Sequence, residues 1–300
     1  MAADNSIMLT GATGFLGWQL LQLMLARGLS PVVTEYRTPL TCPGLNSHQV
    51  DLSSFAEVRR LVKHHRPSIV IHCAALTQVD ACEQDRELAE RCNVLATENL
   101  LKALEGQARF IYLSTDLVFD GLRRNYREDD AVKPISVYSR TKQAGEELTR
   151  ELAPNHAVVR ASLIYGPDAP NRACFLSWMH EGCRKGSLNL FTDEYRTPIY
   201  VGDLAQLLLL LTETDFCGDL HAGGPERLSR FEFGLKFCRV FGYDRSTLIK
   251  KMLSEVELMS YRPPDASLNI ERARSLFDFQ PLAVTQGLQR TMQVSAKGKA

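Results

Sequence analysis

Apolar positions in the first half of the chain follow two alternating rhythms. Short runs that are apolar on both faces read as strands: SIMLT (6–10), SPVVTEY (30–36), PSIVIHCA (67–74), ARFIYLST (108–115) and HAVVRASLIYG (156–166). Between them, apolar residues recur at helical spacing in GFLGWQLLQLMLARG, SFAEVRRLVKHH, ELAERCNVLATENLLKALE and VYSRTKQAGEELTREL. Strand, helix, strand at this pace predicts right-handed crossovers and a parallel sheet with helices on both faces. Beyond Gly166-Pro167 the alternation fades into helical patterns (CFLSWMHEGCRKG, VGDLAQLLLLLTE, SRFEFGLKFCRVFG) mixed with short strands and Pro-rich loops such as YRPPDASL. The expected fold is α/β: a Rossmann-type doubly wound sheet over residues 1–166. Residues 167–300 form mainly a small C-terminal substrate lobe, with some segments returning to the sheet.

Composition narrows the class without naming it. Lys+Arg and Asp+Glu both number 35 among 300 residues, so no basic surface for nucleic acid or an anionic membrane is expected. The most apolar run, LAQLLLLLT, is far shorter than the roughly 20 residues a membrane span needs, and it reads as a buried helix. No secretory signal is visible at the N-terminus. The eight cysteines form no C-x-x-C pair and several sit in apolar patterns, so a reduced, cytoplasmic protein is expected. The tail SAKGKA reads as a frayed end.

Three glycines, Gly11, Gly14 and Gly17, lie between the first strand and the first helix in TGATGFLG. The first permits a tight turn, the second lets the backbone approach a pyrophosphate, and the third lets helix and strand pack closely. A helix beginning at Phe15-Leu16 would face phosphate with its free N–H groups, and Thr13 belongs to the same turn. At the end of the second strand, Glu35 is placed to hold ribose hydroxyls, which favours NAD, while Arg37 is placed to pair with the 2′-phosphate of NADP; both remain open. After the third strand, Asp51 and Leu52 sit where an adenine would lie. An equally good reading makes Asp51 a helix-capping residue.

Ligands of such sheets sit at the carboxyl ends of the strands. Cys73, Ala74 and Ala75 leave one strand as small residues, which a nicotinamide or its ribose could approach, and Thr77 follows them. The stretch YLSTDLVFDG ends a strand with Ser114, Thr115 and Asp116. The next helix carries Tyr138 and Lys142 one turn apart, on one face. Reducing a ketone requires a proton donor for the developing alkoxide. A phenol with an ordinary pKa near 10 is poorly matched to neutral pH unless a neighbouring ammonium lowers it. Tyr138 is therefore expected to give the proton, Lys142 to tune it and grip the ribose, and Thr115 to hydrogen-bond the carbonyl.

This set resembles the extended short-chain dehydrogenase/reductases, and within them the dTDP-4-dehydrorhamnose reductases and their relatives. The stretches that carry the resemblance run almost end to end: TGATGFLG, VDACEQDRELAERCNVLATENL, STDLVFDG, YSRTKQAGE, RASLIYG, TPIYVGDLA and RPPDASL. It implies catalysis by Thr115, Tyr138 and Lys142, an active-site Asn93, and substrate-facing Arg160 and Ser162. The implied activity is NAD(P)H-dependent reduction of a keto group on a nucleotide-linked sugar. Arg172, Arg196 and Arg262 are candidates for pairing with a nucleotide diphosphate, although each arginine taken alone reads first as a surface ion pair. Some bacterial rhamnose-pathway reductases bind Mg²⁺ through an acidic residue near the glycine turn. Here that turn reads Phe15-Leu16, and no metal is expected. The pair His180 and Cys183 lacks further ligands for zinc, and His72 reads as a core histidine.

Two other readings follow from the same resemblance. One is a dinucleotide-binding regulatory subunit of the methionine adenosyltransferase type, without turnover. The other is an epimerase or dehydratase, which STDLVF disfavours because Asp116 has no neighbouring Glu. A homodimer through the ELAERCNVLATENLL helix and the Tyr-Lys helix is compatible with the resemblance.

Overall fold

A computed structural model describes residues 6–40, 42, 44–170, 173–257 and 259–297. Six strands come in succession, β1 (Ile7–Thr10), β2 (Val32–Glu35), β3 (Asn46–Gln49), β4 (Ile69–His72), β5 (Arg109–Thr115) and β6 (His156–Ala161). The chain then forms four short strands, β7 (Ile164–Tyr165), β8 (Leu188–Phe191), β9 (Tyr195–Arg196) and β10 (Ile199–Tyr200). It returns to the main sheet with β11 (Gly218–Ala222), before β12 (Leu228–Ser229) and β13 (Leu248–Lys251). The main sheet has seven strands in the order β11-β6-β5-β4-β1-β2-β3, all parallel. The reversal between β1 and β4 is the topological switch point of a doubly wound sheet.

Helices cover both faces: α1 (Phe15–Ala26), α2 (Phe55–His65), α3 (Val79–Gln84), α4 (Arg86–Glu90), α5 (Ala96–Leu104), α6 (Val137–Leu152), α7 (Phe175–Arg184), α8 (Val201–Leu211), α9 (Arg230–Phe241), α10 (Glu271–Phe277) and α11 (Val284–Lys297). Because strand side chains alternate, Leu9, Ile71, Ile111 and Val159 pack on one side with α1 and α8. Their neighbours Met8, Val70, Phe110 and Val158 pack on the other with α2, α5 and α6. Both faces are thus buried, which is why these strands read as unbroken apolar runs.

The expected long helix after β4 runs unbroken from Arg86 to Leu104, with a π turn at Arg91–Leu95, which carries Asn93, between α4 and α5. The run LAQLLLLLT lies in α8, packed on α1 as a core helix. Among the described residues no helix is long and apolar enough to cross a membrane. The tail splits, residues 295–297 ending α11 and residues 298–300 lying outside the described part.

Candidate functional site

The glycine turn packs directly against the end of β4. Gly11 adopts φ +72°, and a Cβ there would stand 2.7 Å from the Ala74 backbone nitrogen. A Cβ on Gly17 would lie 2.0 Å from the Gly11 carbonyl oxygen, so Gly17 seats α1 against the turn. At Gly14 the nearest atom is that same oxygen at 3.1 Å, and the rest of the space is open. Gly14 is also the N-cap of α1, and no side chain caps it. The first-turn N–H groups are left facing the cleft, which is the arrangement a phosphate requires.

Two clefts of about 360 Å³ each share Gly11, Gly14, Cys73 and Ala75. The first runs over β2 and the β3–α2 loop and is lined by Thr13, Glu35, Tyr36, Arg37, Asp51, Leu52, Ala74 and Arg91 among others. The second runs over the ends of β5 and β6, lined by Phe15, Leu16, Gly17, Thr77, Thr115, Asp116, Tyr138, Lys142, Ser162, Arg196 and Arg230 among others. Joined at the glycine turn, they form a groove with an acidic and a basic side chain at one end and a Thr/Tyr/Lys set at the other. Its glycine cradle and uncapped helix start fit a dinucleotide.

At the first end, the Glu35 carboxylate already accepts the Leu40 backbone N–H, which folds the loop after β2 back on itself. Arg37 lies over the Tyr36 ring, 5.3 Å from its centre. Asp51 accepts the Ser53 N–H (2.9 Å) and hydroxyl (2.6 Å), an Asx turn leading into α2. Those Ser53 bonds hold its carboxyl below the ordinary value, against some desolvation. Asp51 is thus a turn-forming residue that also lines the cleft; the cap of α2 itself is Ser54.

Asn93 shapes the other wall. Its Oδ1 accepts the Leu76 N–H (2.7 Å), while its Nδ2 donates to the Leu76 carbonyl (3.0 Å) and the Thr141 hydroxyl (2.9 Å). The π turn thereby ties the loop after β4 to α6, in the turn that follows Tyr138. His72 is a core histidine bridging the hydroxyls of Thr10 (2.6 Å) and Thr97 (3.0 Å), and burial drives its pKa down to about 3.

Tyr138 and Lys142 both face this cleft from α6, which begins in a capping box formed by Ser136 and Ser139. Burial raises the Tyr138 phenol above its ordinary value, against a hydrogen bond with Thr115. This overturns the expectation that Lys142 lowers it: desolvation dominates, and the ammonium is directed elsewhere. Lys142 Nζ lies 4.0 Å from the centre of the Tyr112 ring. Burial pushes Lys142 down to about 7, opposed by the carboxylate of Glu146 and by Cys73.

Asp116 is buried between Ser162, whose hydroxyl donates to it (2.9 Å), and Arg196 at 3.6 Å. Desolvation raises its pKa, with Arg196 and Ser162 opposing. Three arginines converge beside it on buried Glu194: Arg230 at 2.9 Å, Arg196 at 3.1 Å and Arg262 at 3.8 Å. The Arg230 Nη1 atom is buried and has no hydrogen-bond partner. Arg230 and Glu194 were not singled out from sequence. The capping box at Ser229 and Glu232, which starts a helix at Arg230, was the available signal.

Arg160 corrects a second expectation. It lines neither cleft, is 1% exposed, and donates to Glu146 (3.0 and 2.8 Å), Asp219 (3.0 Å) and the Glu128 carbonyl (3.2 Å). Its face of β6 points into the interior beneath α6, where a guanidinium must find carboxylates. Arg172 lies outside the described residues.

Comparison with known proteins places these features in context. A family model described as the RmlD substrate binding domain matches residues 5–296. A probable low-salt glycan biosynthesis reductase of Haloferax volcanii is 31% identical, over 87% of this chain and 88% of that one. Methionine adenosyltransferase 2 subunit beta of Xenopus laevis is 28% identical over 95% and 86%. The crystal structure of dTDP-4-dehydrorhamnose reductase from Bacillus anthracis, in complex with NADP, superposes with a TM-score of 0.85 at 27% identity, covering 97% of this chain and 99% of that one.

Proposed function

The chain belongs to the RmlD substrate binding domain family, and from that premise we propose that it is an NAD(P)H-dependent oxidoreductase reducing a keto group on a nucleotide-linked sugar, of the extended short-chain dehydrogenase/reductase type. The observation that carries this reading is the convergence of Thr115, Tyr138 and Lys142 on a cleft that shares its glycine turn with the dinucleotide groove. The NADP-bound reductase with which the fold superposes, and the Haloferax reductase, support it.

In this reading the turn at Gly11–Gly17 holds the pyrophosphate, and the Glu35–Arg37 end holds the adenosine. When bound, the reduced nicotinamide supplies the hydride. Tyr138, whose raised pKa keeps it protonated at neutral pH, delivers a proton to the oxygen of the reacting carbonyl. The Thr115 hydroxyl donates to that same oxygen as negative charge builds on it. Lys142 contributes positive charge beside the ribose. Arg196 and Arg230, with Arg262 at the margin, are three cations against the two carboxylates Glu194 and Asp116, and they face the diphosphate of the sugar nucleotide. Residues 167–300 contribute Arg196, Arg230 and Arg262 to this substrate side. A cytoplasmic setting suits eight free thiols, and a homodimer through α5 and α6 completes the proposal.

The similarity to methionine adenosyltransferase 2 subunit beta over nearly the whole chain supports a second reading, a dinucleotide-binding regulator. A panel of nucleotide-4-keto-sugars, followed by loss of NADH or NADPH absorbance, separates the two. Oxidation with one of them supports the reductase, whereas tight binding without oxidation across the panel favours the regulator.

A further inference from the structure

Four residues beyond Lys142, on the same buried face of α6, lies a carboxylate that the mechanism above does not use. Glu146 is completely buried and held by four hydrogen bonds from three side chains. It accepts from the Ser114 hydroxyl (2.6 Å), from Arg160 Nε (3.0 Å) and Nη2 (2.8 Å), and from Arg150 Nη2 (2.9 Å). Ser114 immediately precedes Thr115 at the cleft end of β5. Below this turn of α6, Gly145 allows Tyr112 to approach, since a Cβ there would stand 2.0 Å from the Tyr112 hydroxyl. The Tyr112 ring in turn carries the Lys142 ammonium.

Charge count makes the carboxylate consequential. Lys142 is faced by Glu146 from its own helix, by Tyr112 from β5, by His72 at the end of β4 and by Cys73 just after it. The last two are uncharged at neutral pH, the histidine held down to about 3 and the thiol raised to about 12 by burial. Behind Glu146 stand Arg150 and Arg160, both also paired with Asp219 of β11. Three cations therefore share two carboxylates, and without Glu146 the lysine would face two guanidiniums with only Asp219 to balance them.

We propose that Glu146 is a positioning residue for Lys142: a fixed, buried carboxylate one helical turn away that offsets part of the cost of burying the ammonium and ties its turn of α6 to the Ser114–Thr115 end of β5. The inference rests on the dinucleotide-binding part of the function proposed above.

The test follows binding of NADPH, or of NADH if that is the form bound, by fluorescence between pH 5 and pH 10 for the wild type and for E146Q, E146D, R160Q and E146Q/R160Q. Loss of charge on Lys142 sets the alkaline limb of the profile. In E146Q that limb moves to lower pH by about one unit or more. E146D, which keeps the charge, restores much of the shift, and R160Q, in which Glu146 stays ionised, does not move the limb down. The double variant also removes the buried guanidinium that E146Q deprives of a carboxylate, while the partly exposed Arg150 keeps Asp219, so it guards against simple misfolding, and its limb falls below that of R160Q alone. An unmoved limb in E146Q, or equal downward shifts in E146Q and R160Q, would reduce Glu146 to a structural partner of Arg160. Because no sugar is present, failure of the keto-sugar panel would overturn the reductase reading and leave this result standing. A wild type that binds neither NADPH nor NADH would sink both.

Discussion

The Lys142 ammonium sits over the ring of Tyr112, 4.0 Å from its centre, and the Tyr112 hydroxyl donates back to the Lys142 carbonyl at 3.4 Å. A strand residue on the inner face of the sheet thus holds both the charged end and the backbone of the helix residue proposed to grip the nicotinamide ribose. Burying that ammonium costs stability. Its pKa falls from 10.5 to about 7 on folding, so between those values the unfolded chain binds the additional proton. The penalty is fully present below pH 7 and fades as pH rises toward 10.5. Lys142→Met should therefore raise the thermal midpoint most at pH 6 and least near pH 10, while abolishing turnover. Scanning calorimetry across that range checks it; a gain that does not shrink with rising pH would contradict it.

Tyr138→Phe removes the proposed acid while leaving the ring in place. Turnover should fall by about 10²–10⁴-fold, with NADPH affinity within about twofold of the wild type. Equal loss of both would make the phenol hydroxyl a structural group.

The glycines of the turn separate binding from folding. Gly14 has open space before it, and Gly14→Val should weaken NADPH binding by about tenfold or more with little change in thermal midpoint. Gly17→Ala sets a methyl 2.0 Å from a backbone oxygen and should destabilise the fold by about 1–3 kcal/mol. Isothermal titration and thermal melts of the two variants give the contrast directly.

With Glu35 turned to the Leu40 N–H, Arg37 is the side chain freer to meet a 2′-phosphate. Arg37→Ala should weaken NADP by about tenfold and leave NAD nearly unchanged. A parallel loss of both would return the choice of cofactor to Glu35 or the backbone.

Arg230 points an unpartnered Nη1 into the interior beside the second cleft. Arg230→Gln should raise KM for a nucleotide sugar by about 10–100-fold, the range of one charged hydrogen bond, with kcat and NADPH affinity much less affected. If kcat falls and KM does not, Arg230 holds the site's shape rather than the substrate.

Much of the fold was legible because a parallel sheet buried on both faces announces itself as unbroken apolar runs, and because a glycine turn between strand and helix has few alternatives. The proximity of Thr115, Tyr138 and Lys142 followed from their places at strand and helix ends. What stayed hidden depended on partners distant in the chain. The face of β6 on which Arg160 lies is interior whichever way it points, and Asp219, which receives it, belongs to a strand 59 residues on. The rise in the Tyr138 pKa reflects burial of the phenol, which no i, i+4 spacing encodes. The π turn at Asn93 leaves no mark in the apolar periodicity.

The sheet's last strand, β11, arrives long after its neighbour β6, with β7–β10, α7 and α8 in between. During synthesis, at about 5–20 residues per second, β6 waits several seconds with an unpaired edge and with Arg160 lacking one of its two carboxylates. A ribosome-bound intermediate cut off near Gly166 would expose that edge to any passing strand. The nascent chain is therefore most in need of a chaperone within this window, and a fragment ending there should be recovered as aggregate.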